Sequence, residues 1–256
     1  MTVTAAMGCF LGVALAESAD ADALGEAYGE FRHEALQLNP HYQPESVNTD
    51  GWEGTQNAWK ALFPGITLIL CFLHTVLGVQ QRCRRVNQVF QVVTDKLWHL
   101  YHSLTLRQFG QRLRRLEEWV LDPKTNLPDA VRQKLLSVKA KAPQFKVTFR
   151  MPGAARTSNQ VDRLMNYQDR VLYAMQYFHG TLGAAKQGLR AMALLWNFHP
   201  YCHKVQSMEP HSMSPFEDLN GFRYHDHWLR NFLIASSLNG RETGKPIKHK
   251  LVVCQG

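Results

Sequence analysis

The apolar pattern changes period at His74, and that change constrains the fold more than any other feature of the chain. Before it, apolar runs of strand length alternate with stretches of helical spacing. From His74 to about Leu121 nothing has strand character, and Val86, Phe90, Val93, Leu97, Leu100 and Leu104 recur at helical intervals with basic residues between them. Such a chain is expected to build a mixed α/β sheet with helices packed on its faces, interrupted by an all-helical insertion.

The local signals fill in this outline. The opening segment, rich in Val, Thr, Phe and Leu and broken at Gly8 and again at Gly12, predicts two short strands joined by a tight turn. Ser18-Ala19-Asp20-Ala21 offers an N-cap. Leu24, Tyr28, Phe31, Ala35 and Leu38 then keep helical spacing until Asn39-Pro40, about five turns. Glu45 to Thr49 leads as a strand into Asp50-Gly51-Trp52. A helical run carrying Ala58, Trp59 and Leu62 closes at Phe63-Pro64-Gly65, before a strand-length run from Ile66 to Leu70.

After a turn-rich break from Asp122 to Pro128, Ala130 to Ala142 predicts a short helix before Pro143, and Met151-Pro152-Gly153 marks a return to the core. Thr157-Ser158-Asn159 is a helix-start signal. Val161, Leu164, Met165, Leu172, Met175 and Phe178 follow at helical intervals, and a second helix is expected from about Leu182 to Phe198. Beyond Pro200 the chain reads as irregular apart from a buried helix within Tyr224 to Leu238. The expected organisation is a first core part over 1–80, a basic helical insertion over 81–150, core helices over 151–202 and a helical C-terminal tail over 203–256.

Charge separates these parts. The whole chain carries +8 with a pI near 9.3. Met1 to His74 hold a net −7, however, and Thr75 to Arg150 a net +10, so the basic surface begins abruptly at Gln81-Arg82-Cys83-Arg84-Arg85. Nucleic acid is the partner such a surface favours. The five cysteines are odd in number and scattered, which argues against a disulfide framework and for a reducing cytoplasm. No Lys or Arg precedes Arg32, so the opening segment lacks the basic start of a secretory signal. The apolar stretch Ile66 to Val79 contains His74 and is too short to span a bilayer of about 30 Å. No membrane partner is expected.

The motifs that carry chemistry are Asp50-Gly51, Leu62-Phe63-Pro64, Cys71-Phe72-Leu73-His74 and Arg156-Thr157-Ser158-Asn159-Gln160-Val161-Asp162-Arg163, in that order. Together they resemble the Mutator-like and related bacterial insertion-sequence transposases of the DDE/D type. There an Asp-Gly turn bears the second catalytic acid, followed by Phe-Pro and Cys-x-x-His, and a Thr-(Thr/Ser)-Asn-x-x-Glu-Arg helix start bears the third. The resemblance spans roughly residues 1 to 202. It implies a ribonuclease-H-like sheet, DNA strand cleavage and transfer in transposition, and two Mg2+ or Mn2+ ions held by three carboxylates. It also implies DNA transposon ends as substrate and assembly as a dimer.

The chemistry can be argued independently. Cutting a phosphodiester requires an activated oxygen nucleophile and a stabilised leaving oxygen, which two ions about 3.5–4 Å apart supply. Magnesium prefers carboxylate, water and phosphate oxygens to a His or Cys cage.

On this reading Asp50 and Asp162 are the catalytic, metal-holding acids, expected to converge, with Asp169 a weaker substitute. Asp162 stands where the family more often has Glu, about one methylene shorter. The first acid would lie on a strand before Met1, so the chain reads as N-terminally truncated. Asp20 and Asp22 sit at a helix start and are poor replacements. As ordinary features, Asp50 is a turn aspartate and Asp162 a first-turn aspartate complementing the helix dipole.

Cys71 and His74 are expected to play a structural role beside the site, with direct metal ligation as the alternative; a zinc site would need two further ligands that the sequence does not offer. Arg82, Arg84, Arg85, Arg112, Arg114 and Arg115 are expected to meet phosphates from the insertion, and Arg156 and Arg163 from beside the third acid. Two other readings stand: a transposase remnant that binds DNA without cutting it, and an unrelated helical DNA-binding regulator. No His lies beside a Ser or Cys in a pattern for nucleophilic catalysis.

Overall fold

The computed structural model describes residues 1–83, 87–151, 153–208, 213–238 and 253–255. In chain order, strands β1 (Thr2–Ala6) and β2 (Cys9–Ala14) precede helix α1 (Ala21–Leu38), strand β3 (Ser46–Thr49), helix α2 (Glu53–Leu62) and strand β4 (Thr67–Leu70). Helices α3 (Phe72–Cys83), α4 (Asn87–Tyr101), α5 (Leu106–Leu121), α6 (Asp129–Ala140) and α7 (Ala142–Lys146) follow, with a 3-10 turn at Val147–Phe149. The rest is α8 (Asn159–Ala174), α9 (Leu182–Phe198), α10 (His203–Met208), α11 (Pro215–Asn220), α12 (Trp228–Ser237) and strand β5 (Val253–Gln255). The fold is mixed α/β, mostly helical, with antiparallel β1–β2 and β1–β5 pairs and a parallel β3–β4 pair.

The chain divides into two compact units. The first comprises Met1–Glu45, Glu53–Ile66 and Asn159–Gly256; the second comprises Ser46–Trp52 and Thr67–Ser158. Charge follows the division. The second unit holds sixteen Lys and Arg against six Asp and Glu, net +10, while the first holds thirteen against fifteen, net −2.

In the first unit, Met7 and Gly8, at φ 49° and 77°, make the two-residue turn that joins β1 to β2. Gly12 does not break the strand as its type suggests. A Cβ there would come within 3.0 Å of the Phe31 Cβ, so the missing side chain lets α1 lie against β2. Register slips between Thr4 and Ala5, placing a bulge in β2. The outer edge of β2 is closed by the Asn197 side chain, whose Oδ1 accepts from the Phe10 N–H and whose Nδ2 donates to the Phe10 carbonyl, each at 2.8 Å. One amide thus stands in for a missing strand partner.

Helix α8 lies on β1 through Val161 and Leu164, in a cluster with Val3, Ala5, Phe10 and Ala193. Helix α1 docks α2 through an aromatic group in which Trp59 stacks on Phe63 and meets Tyr28 edge-on.

Helix α8 ends at Ala174, four residues before Phe178, the last position of helical spacing. The Tyr177 N–H donates to the Leu172 carbonyl and the Gln176 N–H to the Tyr173 carbonyl, the paired bonds of a Schellman end. Its left-handed position usually holds Gly; here Gln176 and then Tyr177 occupy it, at φ 58° and 66°. Helix α9 matches expectation residue for residue. Helices α10 and α11 both lie in the stretch expected to be irregular; Ser214 caps α11, Pro215 opens it, and Glu217 and Gly221 complete its start and end.

The second unit is one core running from Leu70 and Phe72 through α3 to α6 and on to Phe145. Leu113, Leu116 and Val120 of α5 and Val131, Leu135 and Val138 of α6 form its centre. Leu104, expected on the buried stripe, lies beyond the end of α4 and is 81% exposed. Pro143 does not end the helical run; it sits in the first turn of α7, where a missing N–H costs no bond.

Candidate functional site

Residues from distant parts of the sequence are gathered in the second unit, at the carboxyl ends of β3 and β4. The two parallel strands run in register from Ser46 beside Thr67 to Thr49 beside Leu70, and the Cys71 N–H extends the ladder to the Thr49 carbonyl at 2.8 Å. The segment leading to Ser158 is tied across these ends. The Phe72 N–H donates to the Arg156 carbonyl at 2.9 Å, and the Asn48 Nδ2 to the Ala155 carbonyl at 2.7 Å.

Cys71 and His74 both meet Ser158, 87 and 84 residues away in sequence. The Ser158 N–H donates to the Cys71 sulfur at 3.1 Å, and the Ser158 hydroxyl lies 3.3 Å from His74 Nδ1. Cys71 and Ser158 are fully buried. Burial pushes the Cys71 thiol up, but hydrogen bonds with His74 and Ser158 outweigh it and hold the thiol below its ordinary value. Two parts of the sequence resemblance, Cys-x-x-His and Thr-Ser-Asn, therefore meet at one buried joint.

Asp50 follows β3 directly and is half-buried, and its Oδ1 accepts the Trp52 N–H at 2.8 Å. That bond makes it a turn-forming aspartate, with Oδ2 unpartnered among the described residues. Gly51 is required where it stands. Its φ is 92°, and a Cβ there would lie 2.6 Å from Leu70 Cδ1. Asp162 is half-buried in the first turn of α8, and Asp169 is exposed further along that helix. Asp50 belongs to the second unit and Asp162 to the first.

Among the described residues, no group of three or more His, Cys, Asp or Glu side chains is gathered as a cation cluster. In kind, Asp50 and Asp162 suit a hard divalent ion, because both are carboxylates. In number they fall one short of the three that the resemblance implies, and neither β1 nor β2 carries an acidic residue.

The arginines separate into two groups. Arg82, Arg107, Arg114 and Arg115 are exposed on α3 and α5, and Arg163 is exposed on α8. Arg84 and Arg85 lie outside the described residues. Arg112 and Arg156 are half-buried and committed within the protein. Arg112 donates to the His99 carbonyl at 2.5 Å, and Arg156 donates to the Tyr101 and Ser103 carbonyls at 2.8 and 2.7 Å while lying over the Phe149 ring. Both neutralise the carbonyl end of α4, a role that spacing alone does not distinguish from phosphate contact.

No described helix is long and apolar enough to cross a membrane, and Cys9, Cys71, Cys83 and Cys202 are free thiols. No family model, curated protein or solved structure matches the chain.

Proposed function

We propose that the chain is a DNA transposase of the Mutator-like, ribonuclease-H-like type, with Asp50 and Asp162 as its second and third catalytic acids. The observation that carries this reading is the buried joint of Cys71, His74 and Ser158. Motif pieces more than eighty residues apart meet at the carboxyl ends of two parallel strands, where α/β sheets commonly place their ligands. Asp50 ends one of those strands, and Ser158 directly precedes the helix that bears Asp162.

In this reading Asp50 and Asp162 would hold Mg2+ or Mn2+, which supplies charge stabilisation at the scissile phosphate. The exposed arginines of α3 and α5, on the unit with net charge +10, neutralise DNA phosphates. His74 is a positioning residue, bonded to Ser158 at the start of α8.

A second reading, DNA binding without cleavage, is favoured by the absence of a carboxylate from β1 and β2. Incubating the purified chain with supercoiled duplex DNA and Mg2+ or Mn2+ separates the two. Metal-dependent nicking supports the transposase, and salt-sensitive binding without nicking supports the second reading. Absence of both removes DNA as the partner.

A further inference from the structure

The first unit carries an aromatic surface that the chemistry above does not use. Tyr173 and Tyr177, 75% and 61% exposed, line a concavity of about 920 Å³ with Trp196 of α9 and with Arg163 and Arg170 of α8. Tyrosines this exposed are not core residues displaced to the surface. Tyr177 is held there by left-handed backbone that L residues rarely adopt, at the Schellman end of α8.

The charge at this surface differs from that of its surroundings. On α9, Lys186 and Arg190 are neutralised by Glu30 and Glu34 of α1. On α8, neither Arg163 nor Arg170 is paired with a carboxylate among the described residues; Arg170 donates only to the Asn166 carbonyl. In a unit of net −2, two guanidinium groups with no carboxylate partner among the described residues, seven residues apart or about 10 Å along a helix, flank the exposed Tyr173 and Tyr177. Asp169 is the single acid in the lining.

We infer that this concavity binds unpaired DNA, the exposed Tyr173 and Tyr177 rings stacking on bases and Arg163 and Arg170 meeting phosphates. Exposed rings interleaved with cations match the alternation of base and phosphate in a single strand. In a duplex the base faces are already stacked on one another and closed to such rings. The choice of DNA over RNA rests on the proposed function, since a cut strand exposes unpaired nucleotides, whereas the stacking surface stands on its own residues.

The test is anisotropy of a short fluorescein-labelled oligothymidylate, with duplex DNA and oligouridylate as parallel probes. Tyr173→Ala combined with Tyr177→Gly is expected to weaken single-strand binding about tenfold or more. The glycine relieves the left-handed strain, so the fold is retained. Arg163→Gln with Arg170→Gln is expected to lower the slope of log affinity against log salt by about 1.4. Asp169→Asn is expected to tighten binding. Duplex affinity, carried by the second unit, is expected to change less than about twofold in the tyrosine variant.

Single-strand affinity unchanged in both double variants would overturn the proposal, as would wild-type protein that binds duplex but no single strand; in either case the DNA reading survives. Preference for oligouridylate overturns the assignment to DNA and keeps the stacking surface. Wild-type protein that binds no nucleic acid overturns both.

Discussion

Replacing Asn197 with leucine is expected to be among the most destabilising single changes in the first unit. Leucine keeps the branching of asparagine, but its methyls cannot approach a backbone N–H and carbonyl to 2.8 Å, so both hydrogen bonds are lost and some crowding is added. The amide makes two bonds of 2.8 Å to Phe10, whose side chain is buried, and Asn197 itself is 7% exposed. Removing it forfeits two bonds worth about 1 kcal/mol each and leaves a backbone N–H and a carbonyl without partners, at about 1–3 kcal/mol per orphaned group. Those estimates overlap, because an orphan's cost includes the lost bond, so the expected loss is about 3–5 kcal/mol.

Urea unfolding followed by tryptophan fluorescence measures this loss. The midpoint should fall with an unchanged slope. Asn197→Asp is the companion variant. It keeps an acceptor for the Phe10 N–H but sets a carboxylate against the Phe10 carbonyl, so it should destabilise at neutral pH and recover as acid protonates it. A loss under about 0.5 kcal/mol for Asn197→Leu would mean that water reaches the edge of β2, and the edge-closing role assigned to Asn197 would fall.

Three further outcomes are expected. Gln176→Gly should stabilise by about 0.5–1 kcal/mol in the same assay, since relief of left-handed strain outweighs the entropy glycine adds to the unfolded chain; a loss would refute the Schellman assignment. Gly51→Ala should cost about 1–3 kcal/mol, from its φ of 92° and the 2.6 Å approach to Leu70, and a neutral effect would contradict that geometry. Burial, with a smaller contribution from the charge of Asp218, pushes the Cys9 thiol up to about 12, and burial does the same to the Tyr42 hydroxyl. Both folded values lie above the ordinary 9.0 and 10.0. Their contribution to stability is therefore complete below about pH 9 and lost as pH rises toward 12, at up to about 1.4 kcal/mol per pH unit per group. Cys9→Ala should flatten that alkaline decline, and an unchanged pH profile would contradict it.

The strands and long helices were legible because period and punctuation agree there. The β1–β2 turn at Gly8, the strand into Asp50 and the helix from Leu182 to Phe198 all follow from local signals. The expectations that fail do so for different reasons. Gly12 reads as a break in isolation, but its meaning is set by Phe31 packing over it. Met175 and Phe178 keep helical spacing past the point where two backbone bonds end α8. The start of α11 is written in Ser214, Pro215 and Glu217, but six residues are too few for an apolar period to develop.

The same distinction applies to the site. Asp50 at a strand end and Asp162 in a first turn could be read from the chain, and Cys71 and His74 were expected beside the site. Their partner Ser158 appeared only as a helix-start residue, because a contact spanning 87 residues leaves no mark on spacing. Arg112 and Arg156 read as phosphate ligands because charge is visible in a sequence, whereas the carbonyls they serve are not.

The central claim is that Asp50 and Asp162 act in one DNA-cleaving reaction. The most direct measurement is the Mn2+-dependent nicking rate of supercoiled duplex by the wild type, Asp50→Asn, Asp162→Asn and the double variant. Acids that work as a unit should each cost about a thousandfold or more when removed singly, with the double variant no slower than either single one. A wild type that does not nick, or a single variant that cuts at the wild-type rate, contradicts the claim.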